Sequence, residues 1–119
     1  MTTQEIATRL SQLCRKGEFE TAQKELFADD VISIEPYAAN GFEKETKGLA
    51  NIFKKGLQFA ETTEKLHGIK VSEPIVTNQS FAFILDMDVT MKKGGRMNMA
   101  ELCVYKVKDG KVISEEFFM

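Results

Sequence analysis

The sequence predicts an α+β protein in which three N-terminal helices lie on a strongly curved, mainly antiparallel sheet. Two patterns carry that prediction. The last 39 residues, Phe81 to Met119, hold three apolar-rich stretches joined by two turn signals, and the first of them alternates with period 2, the signature of a half-buried strand. Before them, apolar residues recur at i, i+3, i+4 and i+7 between Thr3 and Lys65, with one short β-branched run interrupting them. At 119 residues the chain is one domain, 1–119, long enough to bury a core without disulfides or metals.

The first helix runs from Thr3 to Lys16, with Ile6, Ala7, Leu10, Leu13 and Cys14 as its apolar stripe and Thr2 or Thr3 as N-cap. Gly17 stops it. Glu18 to Ala28 is a second helix with the stripe Phe19, Ala22, Leu26 and Phe27, so the two form a helical hairpin. Asp29-Asp30 breaks the pattern. Val31 to Glu35 follows as a short strand ended by Pro36, which cannot donate to a ladder, and Val31, Ser33 and Glu35 share a face. Residues 37 to 46 read as loop, with an Asn40-Gly41 turn signal and a solvated charge run at Glu43-Lys44-Glu45. Thr46 can cap a third helix whose stripe is Leu49, Ile52, Phe53, Leu57 and Ala60, ending near Lys65; Gly48 and Gly56 lower its propensity, so docking must hold it. His67-Gly68 leads into a strand over 69–75 that Pro74 marks as an edge.

From Phe81 to Met91 the alternation puts Leu85, Met87, Val89 and Met91 on one face and Asp86, Asp88 and Thr90 on the other. Gly94-Gly95 between basic residues suits a hairpin. The return strand puts Met97, Met99, Cys103 and Val107 on one face with Glu101 and Tyr105 among them. A carboxylate there must find a partner, take up a proton, or look into a solvated cavity. Asp109-Gly110 signals the last turn, and its type sets which of Glu115 and Glu116 faces inward. A two-residue turn pairs Lys108 with Lys111 and sets Cys103 opposite Glu116. A Gly110 bulge pairs Val107 with Lys111, sets Cys103 opposite Glu115, and turns Ile113, Glu115, Phe117 and Met119 inward. The bulge is the expectation.

Composition bounds the function. Hydrophobic content of 43% and charge of 29% are ordinary for a globular protein. A net charge of -2 offers no basic footprint for nucleic acid and no cationic face for anionic lipid. Apolar runs are too short for a membrane span and the polar start is no secretory signal, so the expected location is the cytoplasm. Cys14 and Cys103 have no CxxC spacing, and the single His67 has too few partners for zinc; reduced buried thiols, no metal and no cofactor are expected.

The stretches Phe27-Ala-Asp-Asp-Val-Ile-Ser-Ile-Glu-Pro36, Glu45-Thr-Lys-Gly-Leu-Ala-Asn-Ile-Phe53, Ser80-Phe-Ala-Phe83 and Lys108-Asp-Gly-Lys-Val-Ile113, in this order and spacing, resemble the SnoaL-like branch of the nuclear transport factor 2-like superfamily, the polyketide cyclase and ketosteroid isomerase relatives. The resemblance implies a cone-shaped fold around a mostly apolar pocket that different members put to different uses. In the isomerases the general base is a carboxylate just before a proline at the end of the first strand, which falls on Glu35. The second acid of that pattern, kept protonated to donate to an oxyanion, falls on Cys103 when counted from the bulged turn, with Glu101 two residues away on the same face. The helix-1 tyrosine donor falls on Leu10, which argues against steroid isomerisation; Tyr37 or Tyr105 could supply a hydroxyl, although Tyr105 is as readily a packing residue.

Three functions follow as expectations. The first is a binding module holding a small apolar molecule. The second is an isomerase-, cyclase- or lyase-type enzyme acting on a small carbonyl compound, with Glu35 removing a proton and Glu101 holding the other end. The third is a dimeric scaffold. In the site Glu35 and Glu101 should share one cavity walled by Phe53, Leu57, Phe83, Leu85, Met87, Met99 and Phe117, with Tyr37, Cys103 and Glu115 as further ligand contacts and both acids raised in pKa by burial and by each other. Ala82, Ile84, Ala100, Leu102 and Val104 form an apolar outer patch, expected to be a homodimer interface.

Overall fold

The computed structural model describes residues 1–38 and 43–119, so the Asn40-Gly41 turn signal lies outside the described residues. The elements follow the order α1 (Thr3–Arg15), α2 (Phe19–Leu26), β1 (Phe27–Ile34), β2 (Glu45–Lys47), α3 (Leu49–Thr62), β3 (Thr63–Val71), β4 (Ile75–Val76), β5 (Ser80–Met91), β6 (Gly95–Lys108) and β7 (Lys111–Phe118). The strands form one sheet in the order β2-β1-β7-β6-β5-β3, with β4 also on β5. All pairings are antiparallel except β1 with β7. The α+β architecture is therefore the expected one, with three helices on a mostly antiparallel open sheet. No helix is long and apolar enough to cross a membrane.

α1 is fixed at both ends by local chemistry. Thr2 caps its N-terminus: the Glu5 amide donates to the Thr2 hydroxyl at 3.1 Å and the Thr2 amide donates back to Glu5 at 2.8 Å. At the other end Gly17, at φ +74°, lets its own amide reach Cys14 O and the Glu18 amide reach Leu13 O, which closes the last turn. The stripe of Ile6, Ala7, Leu10, Leu13 and Cys14 is buried as expected, against the inner-face residues Phe81, Phe83, Leu85, Met87 and Val89 of β5 and Cys103, Tyr105 and Val107 of β6. Tyr105 stacks on Phe81 with ring centroids 4.8 Å apart, so its ring belongs to the core and its hydroxyl does not reach the rim.

Several elements depart from the expectation. β1 begins at Phe27, not Val31. Asp29-Asp30 interrupts the ladder rather than the strand, because the register on β7 shifts between Phe27 and Ile32 while both aspartates stay exposed. Thr46 pairs with Ser33 in β2 instead of capping α3, and Gly48 at φ +89° starts the helix. α3 ends at Thr62 and β3 follows without a loop, so His67 and Gly68 sit inside a strand. The 69–75 strand is split into β3 and β4, both on β5.

The last hairpin also differs. Lys108 pairs with Lys111, and Asp109 and Gly110 have φ of +53° and +74°, a two-residue turn with both central residues left-handed. The irregularity lies further on. The register slips by one between Val107↔Val112 and Lys106↔Ser114, leaving Ile113 as the extra residue. Cys103 therefore faces Phe117, neither Glu115 nor Glu116, and Glu115 faces Tyr105. Glu115 is turned inward as expected, by a bulge at Ile113 in place of one at Gly110. Met119 lies beyond the paired strand and is 67% exposed, so it does not line the interior.

Candidate functional site

Polar groups from four elements meet on the inner face of the sheet. β1 supplies Ser33, fully buried, and just past its end Glu35; β7 supplies Glu115, set beside Ser33 by the parallel register. β6 supplies Glu101, directly across from Leu85. From above, α3 supplies Lys55, whose Nζ donates to Glu35 Oε1 at 2.8 Å and to Ser33 Oγ at 3.3 Å. The Lys55 and Glu35 side chains are only 16% and 27% exposed. Their backbones are held by different means: the Glu35 amide donates to Lys44 O at 2.7 Å, and α3 packs on β1, β2, α2 and β3.

Two of the carboxyls are strongly perturbed. Glu101 is pushed up to about 7, first by burial and then by the negative charge of Glu35, with the Lys55 ammonium opposing. Glu115, 5% exposed, is also pushed up to about 7, chiefly by burial. The Ser33 hydroxyl and Lys55 pull it back, and Glu35 and Glu101 add to the rise. These groups feel one another, so their protons come off as a set and not residue by residue. Around pH 7 the cluster can hold or release protons without a metal. Its chemistry is that of acid, base and hydrogen-bond donor in a half-dry setting.

The profile of the SnoaL-like domain family matches residues 1–119. A Mesorhizobium loti protein with the provisional name SnoaL-like polyketide cyclase is 33% identical, with a TM-score of 0.90 over 100% of both chains. The chain belongs to the SnoaL-like domain family. A Xanthomonas campestris protein with a cystatin-like fold shares 18% identity and a TM-score of 0.83 over 99% of this chain and 90% of its own. A nuclear transport factor 2-like protein from Burkholderia pseudomallei shares 14% identity and a TM-score of 0.79 over 100% and 92%; both share the fold. No curated protein matches the chain.

Within this SnoaL-like domain, the structure joins some expected site residues and separates others. Glu35, Glu101 and Glu115 share the inner face, and Phe83, Leu85, Met87 and Cys103 are buried beside them, with Met99 and Phe117 half-buried. Leu57 is corrected: it is 59% exposed and, two residues from Lys55, points to nearly the opposite side of the helix. Phe53 is also turned aside, its ring lying 5.7 Å under the Lys24 ammonium of α2. Tyr37 is 60% exposed, with its hydroxyl against Met119 Sδ at 3.7 Å. Cys103 is no substitute for a protonated acid, because burial and the nearby Glu101 hold its thiol well above its ordinary pKa and a thiol is a weak donor. Leu10, in the position of the tyrosine, is buried and apolar.

Lys55 is the residue that sequence reasoning missed. The sheet-facing stripe of α3 is Leu49, Ile52, Lys55 and Phe59, rotated from the expected one, and a lysine in it reads as polar surface. The available signal was its position three after Ile52 and four before Phe59, which puts it on the buried face. Two surface grooves, of about 610 and 500 Å³, lie elsewhere. One runs between the start of α1 and the β6–β7 turn, the other along the outer face near Asp86, Asp88 and Arg96.

Proposed function

We propose that this SnoaL-like domain binds a small, largely apolar molecule between α3 and the inner face of β6, with the polar end of the ligand against Lys55 and the acids. The observation that carries this reading is the Glu35–Lys55 pair with Glu101 beside it, set among apolar residues and still partly open. A fold selected for stability alone gains nothing from such a pair, since replacing a buried ion pair by apolar groups is often neutral or stabilising. Glu101 has no cationic partner within ion-pair distance among the described residues. Native mass spectrometry of the purified protein, with chemical-shift mapping of the species retained, tests the reading. A retained small molecule that perturbs Met99, Glu101 and Lys55 supports it; perturbation confined to the outer face sinks it.

Proton-transfer chemistry on a small carbonyl compound is the second reading, favoured by the carboxyl of Glu101 lying near 7, where a general base works well. In this reading the base is Glu101, since Glu35 is ion-paired with Lys55. A homodimer fits the outer face, where Ile84, Leu102 and Phe118 sit across from one another on three adjacent strands and are 50%, 41% and 45% exposed. A cytoplasmic setting agrees with Cys14 and Cys103 being free, buried thiols.

A further inference from the structure

We infer that Lys55 selects the ligand, taking neutral compounds that present a carbonyl or enol oxygen to its ammonium group. The inference rests on the binding site proposed above and narrows its ligand class. A lysine ammonium has three N–H donors and no acceptor. Two are used, on Glu35 Oε1 and Ser33 Oγ, and no third acceptor is present among the described residues. The side chain is 16% exposed, so the remaining donor is left to water or to a ligand oxygen that displaces it.

The charges around Lys55 decide which kind of oxygen. Glu35 already neutralises the ammonium at 2.8 Å, and Glu101 and Glu115 stand near enough to feel its charge. A ligand carboxylate would enter against those acids, and a ligand amine would compete with Lys55 for Glu35. A neutral carbonyl does neither. It accepts the free N–H, and its apolar body meets Met99, Met87 and Leu85 of the inner face, which run beside Glu101 in the strand pairing. Lys55 would then also polarise that carbonyl, doing from α3 what a helix-1 hydroxyl cannot do here, where Leu10 stands.

The experiment uses two neutral probes of matched shape, α-tetralone labelled with carbon-13 at the carbonyl, and tetralin, which lacks the oxygen. Affinities are measured by NMR titration on wild type and on Lys55→Met. A hydrogen bond to a charged donor predicts that wild type prefers the ketone by about tenfold or more. The bound carbonyl carbon should move downfield, and Lys55→Met should lose the shift and bind both probes equally. Lys55→Met strands Glu35 in a half-dry site, so the double variant Lys55→Met with Glu35→Gln, which removes both charges together, keeps the comparison readable if the single variant does not fold. Equal affinity of wild type for the two probes overturns the role of Lys55 while leaving the apolar site standing. Retention of the ketone preference without Lys55 also overturns it. Failure of both probes to perturb the inner face removes the site and this inference together.

Discussion

Replacing Glu115 by glutamine should make this protein more stable at pH 8 and change the sign of nothing at pH 5. The folded-state pKa of Glu115 is raised from 4.5 to about 7, so between those values the folded chain holds a proton that the unfolded chain has released. Stability from this group is fully present below 4.5 and is lost as pH rises through 7. At 1.36 kcal/mol per pKa unit the cost of ionising Glu115 in place is about 3 kcal/mol, a large share of the 5 to 15 kcal/mol by which domains are typically stable. Glu101 adds a smaller loss of the same sign, because water still reaches its carboxyl. Glu5, Glu25 and Asp88 are lowered by their partners; their contribution falls away only as pH drops, outside this window. Urea unfolding at pH 5, 6, 7 and 8 should show wild type weakening steadily. Glu115→Gln, which keeps the shape and loses the charge, should weaken much less and exceed wild type at pH 8 by on the order of 2 to 3 kcal/mol. A flat or rising wild-type profile, or an unchanged slope in Glu115→Gln, would refute the reasoning.

Other outcomes follow from the same fold. Leu102→Asp, on the outer face, should give a species near 13.4 kDa by light scattering where wild type gives twice that mass; a wild-type monomer at tens of micromolar would end the dimer proposal. Thr2→Ala removes the hydroxyl half of the α1 capping box and leaves the backbone amide on Glu5, and it should cost about 1 kcal/mol in thermal or urea unfolding. Gly17→Ala should cost about the same, through backbone strain at φ +74° and not through crowding, since its Cβ would meet Ile69 at 3.5 Å and Leu66 at 3.9 Å, both ordinary contacts. Cys14, with its thiol pushed up to about 12 by burial, should resist iodoacetamide at pH 8 until urea unfolds the chain, and rapid labelling of the native protein would contradict its placement.

What the sequence made legible was what depends on period alone. The alternation of Leu85, Met87 and Val89 sorts β5 correctly, and Glu101 and Glu115 fall on the face it defines. What stayed hidden depends on where the period breaks. One extra residue at Ile113 reverses the pairing of every later position on β7, and turn chemistry at Asp109-Gly110 carries no mark of a bulge three residues on. Lys55 stayed hidden for another reason. Hydrophobic pattern assigns a lysine to solvent, and only the approach of Glu35 and Ser33, from a strand some twenty residues earlier, makes its buried position tolerable.

The side-by-side run of β1 and β7 governs when the site comes into being. The Tyr37 hydroxyl and Met119 sulfur, which meet at 3.7 Å, are 82 residues apart in the chain, and Ser33 meets Glu115 through the same parallel pairing. Contacts so distant in sequence close a long loop and form slowly. The β5–β6 hairpin, joined by a short turn, needs no such wait. During synthesis, Glu35 and Lys55 emerge long before β7 exists, and the edge of β1 that pairs with β7 has no partner until the final strand arrives. Slow folding phases should therefore report on the arrival of β7, and the acid cluster should acquire its unusual protonation in that last step.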